Sequence, residues 1–298
     1  MRRLSKAQGI LFFYFFDLAL LLLLLLSFLP FMRGRRSQAR DTALLNPAYR
    51  ATVSRIELSC REEGTLFGRR TVCLYKQGGL WLGNSSDGNG EFVWPADSQS
   101  VERLLDQATA IAKAYEKSTS RKDWDAFGLK DGDAFSLCFY DGSKKLLSSL
   151  YFGNEDSLTR RVYVRSSADD AVYALDSEIG TLLSTEESFW ADPFLYPLCL
   201  TGLGRAEAEM HLRRGRLENI RPREGLPVDR SARLYFGNGA EICFDIYSKD
   251  GSYIVIPKLT PGPAASEEER EAILSINYRY GISGTTLENL LEECGQAD

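Results

Sequence analysis

The spacing of apolar positions changes character along the chain. Residues 10–32 are almost wholly apolar, with Asp17 the single charge. About 20 such residues are what a helix needs to cross a hydrocarbon core. Residues 33–52 turn polar and read as a juxtamembrane linker. Apolar and polar positions then alternate: residues 53–58 and 71–75 read as strands, and Gly78-Gly79 turns into Leu80-Trp81-Leu82. Residues 84–90, rich in Asn, Ser, Asp and Gly, read as a flexible loop. After Trp94-Pro95-Ala96-Asp97 the period becomes helical. Val101, Leu104, Leu105, Ala108, Ile111, Ala112 and Tyr115 follow a three-and-four spacing. Asp97 or Ser98 caps the start of that helix.

A strand-rich centre comes next. Residues 135–140, a turn at Asp141-Gly142 and residues 146–152 predict a hairpin. Residues 162–165 and 171–175 predict another. A short helical piece covers residues 177–184, and Asp192-Pro193 and Tyr196-Pro197 then break the chain. Residues 210–220 open a second strand-rich half. The pentapeptide Leu150-Tyr151-Phe152-Gly153-Asn154 recurs as Leu234-Tyr235-Phe236-Gly237-Asn238, each copy followed by a hairpin pattern. A second echo links Gly79-Leu80-Trp81-Leu82 and the helix after Asp97 with residues 251–256 and 266–280. Ser266 and Glu269 form a capping box on that later helix. Its face is read as Ile273, Ile276 and Tyr280. A last helix near Thr285 carries Leu287, Leu290 and Leu291.

These patterns predict an α+β fold. A short N-terminus, residues 1–9, precedes a transmembrane helix at residues 10–32 and the linker at 33–52. Two related lobes of antiparallel strands with packed helices follow, at 53–197 and 198–298. The alternative is one irregular α+β domain in which the pentapeptide repeats by coincidence. A cleaved signal peptide is the rival for residues 10–32, but such signals have a shorter apolar stretch of about 7–15 residues. Arg33, Arg35, Arg36 and Arg40 also border the run. An uncleaved anchor fits better, with the N-terminus cytoplasmic and the body extracytoplasmic. Asp17 reads either as a mark for a partner helix or as a carboxylate reaching the headgroups.

Charge narrows the partners. Residues 1–40 hold seven basic residues and one acidic residue, so the remaining 258 residues carry −11 of a chain total of −5. An acidic body argues against nucleic acid, because phosphate neutralisation needs a basic face. Cys60, Cys73, Cys138, Cys199, Cys243 and Cys294 form no CxxC pair, which argues against structural zinc. Cys73, Cys138 and Cys243 read as small core residues in strands.

Catalytic signals are thin. His211 is the only histidine, so any Ser-His-Asp or Cys-His triad would have to use it. Its strand-like setting has no GxSxG beside it. Glu267-Glu268-Glu269 is the acidic first turn of a helix. Asp131, Asp133, Asp169 and Asp170 sit in turn contexts. The stretch from Asp87 to Glu91 lacks the ligand spacing of a calcium loop. Gly202-x-Gly204 lacks the rest of a phosphate loop. Arg213, Arg214, Arg216, Arg221 and Arg223 form a basic patch, read as a solvated surface or a contact for an acidic partner or lipid headgroups. No catalytic, metal or cofactor site is assigned, and the partner-binding residues are left open.

Several of these residues together resemble a family of bacterial membrane-anchored proteins. The family carries a domain of unknown function found beside gliding-motility-type ABC transporters. The shared pattern is the N-terminal span, Gly79-Leu80-Trp81-Leu82, and Trp94-Pro95-Ala96-Asp97 leading into a Val/Leu helix. Phe127-Gly128-Leu129, Phe152-Gly153 and Val172-Tyr173-Ala174-Leu175 follow in order. The resemblance covers roughly residues 53–190. It implies a single-pass, inner-membrane, extracytoplasmic accessory subunit, non-enzymatic and without cofactor, with a permease–ATPase complex as partner. The alternatives are a cell-envelope hydrolase using a carboxylate pair and a membrane-tethered ligand-binding sensor.

Overall fold

The computed structural model describes residues 18, 20–21, 39–61, 68–87, 90–195, 216–217, 228–249 and 251–295. Residues 1–40 and 41–298 are separate compact units. In the first, Leu18, Leu20 and Leu21 are helical and exposed. The rest of the span expected at 10–32 lies outside the described residues. Among the described residues no helix is long and apolar enough to cross a membrane.

The second unit is α+β, with two antiparallel sheets and few helices. The strands of the larger sheet are β1 (Ala39–Thr42), β2 (Val53–Arg61), β3 (Arg69–Gln77), β4 (Leu80–Asp87), β5 (Gly90–Pro95), β6 (Ala112–Ser118), β7 (Phe135–Asp141), β8 (Leu146–Glu155), β9 (Val162–Ser166) and β10 (Val172–Asp176). Their spatial order is β1-β6-β10-β9-β8-β7-β2-β3-β4-β5. The smaller sheet holds β11 (Arg216–Leu217), β12 (Arg230–Tyr235), β13 (Glu241–Lys249), β14 (Ser252–Thr260) and β15 (Tyr280–Ile282), in the order β11-β15-β14-β13-β12. Among the described residues the α-helices of this unit are α1 (Ser98–Thr109), α2 (Glu187–Trp190), α3 (Glu267–Ser275) and α4 (Gly284–Glu293). A 3-10 turn at Pro47–Thr52, capped by Asn46, and β1 place structure within the stretch expected to be a linker.

Local signals set several elements. The hairpin β7–β8 forms as expected. Its turn is tied by the Asp141 carboxylate, which accepts from Ser143 N at 2.9 Å and Lys145 N at 3.0 Å. Asp97, rather than Ser98, caps α1, accepting from Gln99 N at 3.2 Å. Val101, Leu104, Leu105 and Ala108 of that helix are buried. Fully burying a leucine contributes about 1.5–3 kcal/mol. Ser266 caps α3 through Glu269 N at 3.2 Å. Leu287, Leu290 and Leu291 of α4 face the core.

Three expectations are corrected. The helical spacing continues past residue 109, but α1 stops there. Ile111 is 76% exposed, and Ala112 and Tyr115 belong to β6. The ladder offered by β10 outweighs a coincidental spacing, since tertiary pairing overrides local propensity. Likewise α3 ends at Ser275, and Tyr280 lies in β15. Residues 84–87 and 90, expected in a loop, are strand: β4 and β5 pair as far as Asp87 opposite Gly90. Residues 88 and 89 lie outside the described residues, as does most of the strand expected at 210–220, of which β11 is described.

Both pentapeptides enter a three-stranded antiparallel meander, β8-β9-β10 and β12-β13-β14. They enter it differently. Leu150 to Asn154 lies wholly inside β8, whereas β12 ends at Tyr235 and Phe236 begins a tight turn, with Phe236 N donating to Ala240 O at 3.0 Å. The facing is shared. Leu150 and Phe152 are buried, and Leu234 and Phe236 also pack on the core.

One hydrophobic cluster runs through residues of both sheets, with Trp94, Trp190, Phe194, Tyr278 and Tyr280 among its largest buried members. The outer edge of β5 is closed by chain from elsewhere. Asn277 N donates to Val93 O, Asp192 N to Pro95 O and Asp97 N to Trp190 O, at 2.9, 2.8 and 2.7 Å. An open strand edge is an aggregation template, and these bonds satisfy it.

Candidate sheet-face binding site

The sheet order forces one long crossing. Between β6 and β7 lie β8, β9 and β10, so residues 119–134 must pass over one face of that meander. The core side is taken by Leu150, Phe152 and Val164, leaving the opposite face for this strap. Trp124 and Leu129 of the strap bury there with Val172, against Phe127, Tyr151 and Tyr163.

Arg165 of β9 pins the strap. Its guanidinium lies 3.8 Å from the Trp124 ring centre and 3.8 Å from that of Tyr151. Its Nη2 donates to Asp131 Oδ1 at 2.5 Å and its Nε to Leu129 O at 3.1 Å. Asp131 also pairs with Arg121 at 2.9 Å. The Arg165 side chain is 4% exposed, so its charge is held by rings, carboxylate and carbonyl rather than water. Trp124 Nε1 donates to Asp170 O at 3.0 Å. Gly153 makes the close approach possible: a Cβ there would stand 2.1 Å from Phe127 O.

The same face continues beyond the strap onto β7, β2 and β3. Alternation places Ile56, Leu58, Leu137 and Phe139 in the core and sends Arg55, Glu57, Ser59, Ser136, Cys138 and Tyr140 outward. The cross-strand register sets Glu57 between Cys73 and Cys138, with Ser149 next to Cys138. Tyr140 Oη donates to Glu57 Oε2 at 3.0 Å, and Arg55 Nε donates to Glu57 Oε1 at 3.0 Å. Burial, and then the bond to Glu57, push the Tyr140 hydroxyl above its ordinary range, so it stays a donor. Cys138 Sγ donates to Ser149 Oγ at 3.4 Å. Arg69 reaches Ser59 and Ser136 at 2.9 and 3.3 Å. Arg55, Glu57, Cys138 and Tyr140 are all half-buried, so the row is fixed and reachable together.

At the far edge of the strap the Asp156 carboxylate gathers the β8–β9 loop. It accepts from Thr159 N at 2.9 Å, Tyr163 Oη at 2.9 Å and Leu158 N at 3.0 Å. These donors hold its carboxyl at about 2.

Of the residues singled out from sequence, Asp131 and Cys138 lie in this site and the others fall elsewhere. His211, Gly202, Gly204, Arg213, Arg214, Arg221 and Arg223 lie outside the described residues, and of Arg216 the backbone in β11 is described. Asp131 and Asp133 are ion-pair partners of the strap, the latter with Arg61 at 2.5 Å. Asp169 caps a turn through Ala171 N at 3.0 Å. Cys60, Cys138, Cys243 and Cys294 are free thiols and half-buried, which corrects the core placement expected for Cys138 and Cys243. Cys73 is buried in its strand. No described group of three or more His, Cys, Asp or Glu is placed to hold a metal ion. Glu57, Tyr140, Tyr151 and Arg165 were not singled out from sequence. The polar alternation Arg55-x-Glu57-x-Ser59 and Ser136-x-Cys138-x-Tyr140 is the signal that finds the outward face.

Residues 89–233 match the family described as a domain of unknown function (DUF4340). The match takes in α1, the strap and the whole β8–β10 meander, and therefore Arg165 with its stack. No curated protein matches the chain. No solved structure matches it.

Proposed function

We propose that this protein is a non-enzymatic binding module, tethered to the inner membrane by residues 10–32 with its body extracytoplasmic. We further propose that it serves as an accessory to an ABC-type transport or surface-assembly complex. The observation that carries the binding part is the outward face of β2, β7 and β8. There Arg55, Glu57, Tyr140 and Cys138 are held by one another, half-buried, beside a strap fixed by Arg165. Arg and Tyr are the residue types that anchor interfaces, and a surface whose side chains are already ordered loses less entropy on binding. The hydrolase alternative needs two carboxylates facing across a bond. The neighbours of Glu57 are a guanidinium, a phenol and thiols, which suit recognition better.

The tether and the transporter partner rest on the apolar run and on the resemblance of sequence motifs, and are proposed on that footing. A photo-crosslinker replacing Tyr140 in intact membranes tests both parts. Recovery of a permease and an ATPase, lost on Glu57→Gln with Arg55→Ala, is the expected result. Turnover of an envelope glycan or lipid by the purified chain, abolished by Glu57→Gln, overturns it in favour of the hydrolase.

A further inference from the structure

Three segments of the second unit meet close to its first residues. Residues 44–53 are bound on one side to the end of α1, with Leu45 N donating to Ala108 O at 2.8 Å and Arg50 Nη2 to Asp106 Oδ1 at 2.7 Å. On the other side they meet β8, with Ser148 Oγ donating to Leu44 O at 3.0 Å, and β7, where Val53 stands opposite Asp141. The exposed apolar side chains of these segments are Tyr49 at 42%, Ile111 at 76% and Leu146 at 47%. Beside them Lys113, Lys144 and Lys145 are exposed.

The carboxylates of this end are largely engaged. Glu102 and Asp106 both pair with Arg50 at 2.7 Å. Asp141 caps its own turn. Asp176 stands opposite Lys113 and pairs with Arg161 at 3.5 Å. The turn also keeps Lys144 at φ 65, a left-handed position where this kind of hairpin ordinarily has glycine. A side chain retained against that preference is a pointer to use.

We infer that this end docks on anionic lipid headgroups, with Tyr49, Ile111 and Leu146 at the headgroup boundary and the three lysines on the phosphates. The chemistry is that of an interfacial anchor, apolar tips with basic flanks. The occupant follows from charge complementarity and from the chain itself. Eight residues separate Met32 from Asp41, a reach of at most about 30 Å over the nine steps, so a body tethered at residues 10–32 stays within reach of a lipid surface. The inference rests on the proposed tether.

Hydrogen exchange on the full chain in nanodiscs tests it. One set is phosphatidylcholine alone and the other contains about a third phosphatidylglycerol. Peptides covering residues 44–53, 108–113 and 141–148 are expected to exchange about fivefold slower or more in the anionic discs. Residues 236–240, the β12–β13 turn of the smaller sheet, serve as the internal control and stay unchanged. The slowing disappears at high salt and in the variant Lys113→Glu with Lys144→Glu and Lys145→Glu. Equal exchange in the two lipids, with the chain still floating with both, overturns docking and leaves the tether standing. Binding to anionic vesicles alone, sensitive to the lysine variant, keeps docking and overturns the tether. Flotation with neither lipid overturns both. Protection seen in native membranes and absent from anionic discs overturns the lipid in favour of a protein contact.

Discussion

The Arg165 guanidinium lies 3.8 Å from the centre of the Trp124 ring, with the Tyr151 ring at the same distance. That contact joins a central strand to the strap that crosses it. Arg165→Ala removes the stack and two hydrogen bonds, one of them to a carboxylate. The expected loss is about 3 kcal/mol of unfolding free energy, read from urea denaturation. Arg165→Lys keeps a charge but loses the planar fork and is expected to recover less than half. Full recovery by lysine would mean that charge alone holds the strap.

The two pentapeptides give a paired test. A Cβ on Gly153 meets Phe127 O at 2.1 Å, while one on Gly237 meets nothing within 4 Å. Gly153→Ala is therefore expected to destabilise by about 2 kcal/mol, the usual order for overpacking. Gly237→Ala is expected to change stability by less than about 0.5 kcal/mol. Equal losses in thermal unfolding would show that the two copies carry the same constraint after all.

The β8–β9 loop is expected to loosen in acid. The backbone N–H of Thr159, the Tyr163 hydroxyl and the backbone N–H of Leu158 lower the Asp156 carboxyl from 3.8 to about 2 in the folded chain. A depressed folded value means that the ionised form favours folding. Its contribution is complete above about pH 5 and falls away as pH drops through about 4 towards about 2. Amide exchange at Leu158 and Thr159, corrected for intrinsic rates, should speed up across that window. Asp156→Asn should show no such step.

Capping chooses between two adjacent residues. Asp97→Ala removes the acceptor for Gln99 N and, through its other oxygen, for Ser100 Oγ at 2.8 Å. A cost of about 1 kcal/mol is expected. Ser98→Ala should stay within about 0.5 kcal/mol. The reverse ranking in chemical denaturation would move the helix start by one residue.

Local chemistry along the chain was enough for the β7–β8 hairpin, a cap at Asp97 or its neighbour, the N-cap at Ser266 and the buried stripe of α4. Each of those depends on residues within a few positions of one another, so periodicity and side-chain oxygen placement determine them. The end of α1 was not decided that way. The apolar spacing runs on to Tyr115, and the antiparallel ladder with β10, some 60 residues further along, turned residues 112–118 into a strand. Residues 84–87 and 90 likewise became strand because a partner edge was present, against the preference of Asn, Ser and Gly for turns. The identical pentapeptides diverged because one lies under the strap and the other ends at a turn. The candidate surface itself follows from topology. Glu57, Tyr140 and Arg165 are far apart in sequence, and only the order β9-β8-β7-β2 sets them on one face, since pairing between distant strands is fixed by the packing of the whole sheet.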